Sequence, residues 1–211
     1  MKAEQHKGTV FVVDDDSTLR DMIRMMAESD GYCVRDFADA EEFLNEFDAE
    51  QPGCLILDIR MPGMSGLALQ DELIKRQALL PIIFITGHGD VEMAVECIQK
   101  GALDFLEKPF REAKLLEKIE QGILSDQQSR QELSEQNEVK ARLSSLTDRE
   151  TEIMHMIAQG CANKVIAIDL GIAQGTVEIH RSRVMHKLGV RSVAQLMRLL
   201  LVAGELRSES S

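Results

Sequence analysis

Five short apolar or β-branched runs recur along the first 124 residues, each beginning 22 to 27 positions after the one before it. They read Thr9–Val13, Tyr32–Phe37, Cys54–Leu57, Pro81–Thr86 and Asp104–Glu107. A strand at that interval, with amphipathic sequence in between, is the rhythm of βα units on a parallel sheet. Val-Phe-Val-Val, Cys-Leu-Ile-Leu and Ile-Ile-Phe-Ile show no polar alternation, as strands covered by helices on both faces require. The run at Tyr32–Phe37 is more polar and suits an edge. Leu19, Ile23 and Met26 recur at helical spacing after Ser17, a capping candidate, and Val91, Val95 and Ile98 do so after Asp90. The expected fold class is α/β, a doubly wound five-stranded parallel sheet with five helices.

The pattern changes after residue 124. From Ser125 to Arg142 the apolar residues shrink to Leu133, Val139 and Ala141, and no Gly or Pro breaks the run, so this stretch reads as a polar helical linker. From Leu146 helical periodicity returns in four blocks without a strand: Asp148–Ala158, Lys164–Leu170, Thr176–Leu188 and Ser192–Val202. The organisation expected is an α/β domain over 1–124, a linker over 125–142 and a small all-α domain over 143–211.

Charge divides along the same line. The chain carries a formal −12, but residues 1–142 hold 16 Lys and Arg against 29 Asp and Glu, whereas 143–211 hold 8 against 7. Within 173–198, Arg181, Arg183, Lys187, Arg191 and Arg198 face only Glu178. An acidic front is a poor nucleic-acid binder, and a locally basic back is a candidate one. The longest nearly apolar stretch, Ala78 to Ile85, is interrupted by Pro81 and is far shorter than the roughly 18 to 20 residues of a membrane span. The first residues lack a signal-peptide core, so a cytoplasmic protein is expected, with no membrane partner. Cys33, Cys54, Cys97 and Cys161 lie too far apart for a CxxC pair or a zinc site and read as thiols of the core.

Ligands of open α/β sheets bind outside the carboxyl ends of the strands. Here those ends are Asp14-Asp15-Asp16 after the first strand, Asp58 after the third, Thr86 after the fourth and Lys108-Pro109 after the fifth. Three carboxylates converging on one rim repel one another, and the charge arithmetic calls for a hard divalent cation, Mg²⁺ or Mn²⁺. A hydroxyl and an ammonium from neighbouring strands supply what a phosphoryl group's oxygens need, so the set is suited to placing a phosphoryl on a carboxylate. Taken singly, each residue has a plainer reading: a helix cap for Asp14 to Asp16, a strand end for Thr86, a solvated Lys108, a core Phe105. The convergence favours the site. His88, on the adjoining loop, is given no chemical role.

The segments Val-Val-Asp-Asp-Asp (12–16), Leu-Asp-Ile-Arg-Met-Pro-Gly-Met-Ser-Gly (57–66), Ile-Thr-Gly-His-Gly-Asp (85–90) and Gly-Ala-Leu-Asp-Phe-Leu-Glu-Lys-Pro-Phe (101–110) resemble the flavodoxin-like receiver domain of two-component response regulators. The resemblance spans residues 8–124. It implies that Asp58 is the phosphoacceptor and that Asp15, Asp58 and the Arg60 carbonyl ligate the metal with help from Asp14. It further implies that Thr86 and Lys108 grip the phosphoryl, that Phe105 is a switch aromatic, and that Lys108-Pro109 is a cis peptide.

In the C-terminal stretch, Thr147 with Glu150 three residues on forms a capping box, and Gly160 stops that helix. Helices opening at Asn163 and Thr176 around Gly171 have the helix-turn-helix layout. On a helical wheel Val177, Val184 and Leu188 make the core stripe with Arg181 beside them. Glu178, Ile179, Ser182 and His186 point outward, flanked by Arg183 and Lys187. An outward Ile179 suits a thymine methyl, and the flanking bases suit phosphates. Leu-Thr-Asp-Arg-Glu, Asn-Lys-Val-Ile-Ala, Thr-Val-Glu-Ile-His-Arg and Lys-Leu-Gly-Val resemble the LuxR-type DNA-binding domain of the NarL/FixJ family, closest to the FixJ-like branch. That resemblance implies DNA contacts from Asn163, Lys164, Thr176, Glu178, Ile179, Arg181, Ser182, Arg183 and Lys187. Glu178 stands where the family often has Lys, and Ala173 where it usually has a capping Ser, a loss worth ~0.5–2 kcal/mol unless Thr176 or Gly175 takes over the cap.

Together these features imply a transcription factor. A sensor histidine kinase passes a phosphoryl to Asp58, the protein catalysing only its own Mg²⁺-dependent phosphorylation and dephosphorylation. Homodimerisation and promoter binding follow, with RNA polymerase a further partner. Two other classes stand beside this reading. A small-molecule phosphatase would use Asp14-Asp15-Asp16 as an Asp-x-Asp motif, but needs a cap and late acidic ligands, which the sequence does not offer. A phosphorylation-gated module whose helical tail binds protein would lack salt-steep DNA binding. Flavin binding lacks a phosphate loop after the first strand.

Overall fold

The computed structural model describes residues 6–87 and 91–205, and falls into two compact units that divide after Arg130. The first is a five-stranded, all-parallel sheet in the order β2-β1-β3-β4-β5, built from β1 (Thr9–Val13), β2 (Cys33–Phe37), β3 (Cys54–Asp58), β4 (Ile82–Thr86) and β5 (Asp104–Glu107). Register runs Val13↔Phe37, Val13↔Leu57, Asp58↔Ile85 and Thr86↔Glu107, which brings the carboxyl ends of the four central and right-hand strands to one rim. Helices α1 (Ser17–Ser29), α2 (Ala40–Glu46), α3 (Gly66–Lys75), α4 (Val91–Gln99) and α5 (Glu112–Ser144) connect and follow the strands.

Alternate residues of each central strand feed two separate cores, which is why those strands read as unbroken apolar runs. Phe11, Val13, Leu55, Leu57 and Phe84 face one side with Phe43, Leu69 and Leu73. Val10, Val12, Ile56, Ile83 and Ile85 face the other with Ile23, Ala27, Leu115, Ile119 and Ile123. Phe37 and Phe43 meet edge to face at 5.3 Å on the first side. The more polar β2 is indeed an edge strand, as is β5.

The cap of α1 differs from the expected Ser17. It is Asp16, whose carboxylate accepts from the Thr18 and Leu19 amides; a carboxylate one residue earlier has the reach and complements the helix N-terminus. Asp90, the cap expected for α4, and His88 lie outside the described residues.

The start of the polar 125–142 stretch belongs to the first unit. Asp126, 1% exposed, accepts from the Gly53 amide at 3.0 Å, and Arg130 Nε donates to both its oxygens at 2.9 and 3.0 Å. The Arg130 guanidinium also donates to the carbonyls of Ala49, Glu50 and Gln51. One ion pair thus satisfies the loop that enters β3.

The second unit holds the late part of α5 with α6 (Asp148–Ala158), α7 (Asn163–Leu170), α8 (Gln174–Lys187) and α9 (Val193–Ala203). Ile153, Ile157, Ile166, Val177, Val184, Leu188, Leu196 and Leu200 form its core, against which Val139 and Leu143 of α5 pack. The Thr147–Glu150 capping box is present, and Gly171 closes α7 at φ 63°. The cap at α8 did not shift to Thr176 or Gly175: Ala173 is the N-cap and gives no side-chain hydrogen bond, and Ala162 leaves α7 equally uncapped. Among the described residues no helix is long and apolar enough to cross a membrane.

Because Arg130→Met leaves the buried Asp126 carboxylate without its cation, it should destabilise the first unit by about 3 kcal/mol. Hydrogen exchange should register this as lost protection in β1 and β3 and unchanged protection in α6 to α9.

Candidate functional site

The sheet order reverses between β1 and β3, and Asp14 and Asp58 flank that point. Asp14, buried at the end of β1, accepts from the Asp16 amide at 2.8 Å through Oδ1. Asp58, also buried, accepts from the Arg60 amide at 2.8 Å through Oδ2. Between them stands Lys108 from the end of β5, its Nζ 2.7 Å from Asp58 Oδ1 and 3.1 Å from Asp14 Oδ2. The Lys108 amide donates to the Thr86 carbonyl at 2.8 Å, and Lys108-Pro109 is cis. Asp14, Asp15, Asp16, Asp58, Arg60 and Lys108 line one pocket of ≈ 320 Å³.

Electrostatics follow from this geometry. Burial pushes the Asp14 carboxyl up, helped by the neighbouring Asp58 charge, while the Asp16 amide and Lys108 pull it back; the net is upward. For Lys108 burial alone would lower the ammonium's pKa, but the hydrogen bonds to Asp58 and Asp14 outweigh it and the net is raised. Lys108 thus bridges two of the converging carboxylates and offsets part of their repulsion, and among the described residues no group of three His, Cys, Asp or Glu is already gathered as a metal site. The donors lining the pocket are nonetheless carboxylate oxygens with the Arg60 backbone beside them, a set whose chemistry fits Mg²⁺ or Mn²⁺.

Close packing restricts this rim. A Cβ built on Gly66 would stand 2.2 Å from the Asp58 carbonyl oxygen, so only glycine lets α3 begin against the end of β3. Two expected residues are not in the pocket lining. Thr86 is 4% exposed, held in β4, and Phe105, paired to Phe84 across the sheet, is 39% exposed and turned out to solvent.

In the second unit, α8 buries Val177, Val184 and Leu188 and exposes Glu178, Ile179, Ser182, Arg183 and His186, as the wheel requires. Ile179 is 55% exposed. Thr176 and Lys164 are also exposed, whereas Asn163 and Arg181 are half-buried and joined to each other at 3.2 Å, tying α8 to the start of α7. Glu178 accepts from Gln174 at 3.2 Å.

Lys187 departs from the expected phosphate contact. Its ammonium donates to Glu150 Oε2 at 2.6 Å and to the Ser145 carbonyl at 3.0 Å, at the surface of the bundle. A wheel places the Lys187 Cα on the flank; the length of the side chain lets it fold back toward a buried carboxylate. Among residues that sequence reasoning missed, Arg20 stands out: its Nη1 donates to the Asp14 carbonyl at 2.7 Å. A cation three residues into an amphipathic helix carries no signal of such a contact.

Comparison with known proteins gives two family matches: the response regulator receiver domain over residues 10–120, and the luxR family of bacterial regulatory proteins over 144–200. The chain is 38% identical over 200 residues to the transcriptional regulatory protein FixJ of Bradyrhizobium diazoefficiens, covering 95% of this chain and 98% of that protein. It is 40% identical to the response regulator protein TmoT of Ectopseudomonas mendocina, covering 92% of this chain and 88% of that protein. Among solved structures it is similar to the response regulator StyR, with TM-score 0.84 at 46% identity over 92% of this chain and 98% of that one. Full-length FixJ from B. japonicum superposes with TM-score 0.60 at 37% identity over 96% and 100%.

Hydrogen bonds from Lys187, and then from the Thr147 amide, hold the Glu150 carboxyl down at about 2 against an ordinary 4.5. Its contribution to the second unit is fully present above pH 4.5 and is lost as pH falls toward 2. Glu150→Gln should leave α6 to α9 less stable than wild type at neutral pH and should lose less stability on acidification, flattening the acid limb followed by circular dichroism and amide exchange. An unchanged acid limb would show the pair carries no linkage.

Proposed function

Because the chain belongs to the response regulators that join a receiver domain to a luxR-family DNA-binding domain, we propose that it is switched by phosphorylation of Asp58, the phosphoryl arriving from the phosphohistidine of a sensor histidine kinase. The chain is a transcription regulator, not a conventional enzyme. The observation that carries the phosphorylation reading is the Lys108 ammonium set between Asp14 and Asp58 at the strand-order reversal.

An Asp58 carboxylate oxygen attacks phosphorus; the P–O bond forms as the P–N bond to the donor imidazole breaks. Asp14, Asp15, Asp58 and the Arg60 carbonyl would hold Mg²⁺ or Mn²⁺, which when bound neutralises charge on the transferring phosphoryl oxygens. Lys108, already at hydrogen-bond distance from Asp58, turns from bridging two carboxylates to gripping the phosphoryl. The protein catalyses its own phosphorylation and dephosphorylation and no other turnover. Thr86 then moves its hydroxyl to the new −1.5 to −2 charge, vacating space for the outward Phe105 to turn in. The changed surface of α4, β5 and α5 favours a homodimer.

Promoter DNA is read by α8. Ile179, Glu178, Thr176 and Ser182 meet base edges, Arg183 and Lys164 meet phosphates, and Asn163 with Arg181 braces the helix from α7. Lys187 is left out of this set. The receiver over 1–124, extended by the Asp126–Arg130 turn of α5, the remainder of the polar stretch to 142 as the link, and the DNA-binding domain over 143–211 divide these tasks, in the cytoplasm, with RNA polymerase met at the promoter.

Incubated with acetyl phosphate and Mg²⁺, the protein should gain one phosphoryl by intact mass, and Asp58→Asn none. Labelling of Asp58→Asn at the wild-type rate would overturn the assignment. Arg183→Ala should weaken binding to all DNA sequences alike and lower the slope of log affinity against log salt by about one. A slope equal to wild type would remove Arg183 from the phosphate contacts.

A further inference from the structure

We infer that Arg20 is a positioning residue of the phosphoacceptor site: by holding the Asp14 carbonyl it fixes the peptide that joins Asp14 to Asp15, and so fixes where Asp15 presents its carboxylate. The inference rests on the reading of that rim as the phosphorylation site.

Arg20 lies in α1, with its side chain 15% exposed. Nη1 donates to the Asp14 carbonyl at 2.7 Å, and Nε donates to Asp36 Oδ2, on β2, at 3.2 Å. Arg24, one turn further along α1, pairs with the same Asp36 carboxylate. The guanidinium is therefore clamped on the edge strand by one prong and grips the carboxylate-bearing turn with the other. Its planar fork can serve two acceptors in fixed directions; an ammonium cannot.

The rest of the turn shows what this grip decides. The Asp14 amide donates to the Phe37 carbonyl at 3.4 Å, and the Asp14 carboxylate accepts from the Asp16 amide. Asp16 is committed to α1, its Oδ1 accepting from Thr18 at 2.9 Å and Leu19 at 3.4 Å. Asp15 sits between these two anchored neighbours. The carbonyl oxygen of residue 14 and the amide nitrogen of residue 15 share one rigid plane, so pinning that oxygen fixes the Asp15 Cα; with the Asp16 amide held on the other side by the Asp14 carboxylate, the two restraints together limit where the Asp15 side chain leaves the backbone. Asp15 lines the same pocket as Asp14, Asp58 and Lys108.

A second physical effect of Arg20 has the opposite sign, which makes the inference decidable. As a cation behind an anionic pocket, Arg20 repels a divalent ion; as a brace, it preorganises a carboxylate that would bind one. Removing it by Arg20→Met strengthens cation binding if only its charge matters, and weakens cation binding if its geometry matters.

The test is calorimetric titration of the full-length protein with Mg²⁺ alone, together with amide exchange at residues 14–16. For Arg20→Met the Mg²⁺ dissociation constant should rise about 10-fold, in the range seen for residues that orient metal ligands. Arg20→Lys keeps the charge without the fork and should fall with Arg20→Met, not with wild type. Amide exchange should quicken at Asp15 and Asp16 while β3 and β4 stay protected. Phosphorylation by acetyl phosphate should be slowed at low Mg²⁺ and recover at saturating Mg²⁺, separating a positioning defect from a lost acceptor. Mg²⁺ binding as tight as wild type or tighter in Arg20→Met overturns the inference. Should Arg20→Met fail to fold, Arg20→Lys decides alone, with wild-type affinity as the contradicting result. Absence of Mg²⁺ binding in the wild type itself overturns the reading of the rim, and the inference with it.

Discussion

Two carboxylates brought together at the end of a parallel sheet repel one another, and here one ammonium offsets part of that repulsion. Lys108, from the end of β5, reaches back to Asp58 and Asp14, so three strands that are not neighbours in sequence are joined at their carboxyl ends by a single charge-assisted contact. Everything the receiver is proposed to do depends on that arrangement. It sets an ammonium at hydrogen-bond distance from Asp58, holds that cation where phosphoryl oxygens would arrive, and leaves carboxylate oxygens for a divalent ion. A separate constraint holds the same strand end: Gly66 must be glycine, because the Asp58 carbonyl at the end of β3 is packed too tightly against the start of α3 to spare room for a side chain.

Much of this was legible in the amino-acid sequence because two-sided burial leaves an unmistakable mark. Strands β1, β3 and β4 are buried at nearly every position, so their apolar runs admit few other readings. The charged residues that end them stand out against that background, and the resemblance of four segments to receiver domains implies the roles proposed for them. The α8 face was legible for a similar reason: Val177, Val184 and Leu188 recur at helical spacing and all reach the core. What stayed hidden involved long polar side chains. Lys187 looks solvated on a wheel, yet it crosses to Glu150; Arg130 looks like part of a tether, yet it neutralises the buried Asp126. Pattern locates a Cα on a face but carries no information about where a flexible cation finds its partner.

The helix-turn-helix unit shows a complementary economy of polar contacts. Its first helix carries a full capping box, while α7 and α8 begin at Ala162 and Ala173 with no side-chain cap. The start of α8 thus has no side-chain cap, beside an exposed face bearing Ile179, Ser182 and Arg183. Each missing cap forgoes ~0.5–2 kcal/mol of helix stability. A phosphate oxygen at that end would meet a favourable helix dipole, which supports the assignment of this face to DNA.

Coupling between the two units is the claim on which the regulatory account stands. Beryllofluoride forms a tetrahedral mimic of an acyl phosphate on a carboxylate, and the affinity of the full-length protein for a promoter fragment can be measured with and without it at fixed Mg²⁺ and fixed salt. An affinity increase of about 5- to 150-fold, matching a coupling of ~1–3 kcal/mol, is the expected result. Identical affinities in the two conditions, with beryllofluoride bound at Asp58, would contradict a phosphorylation switch.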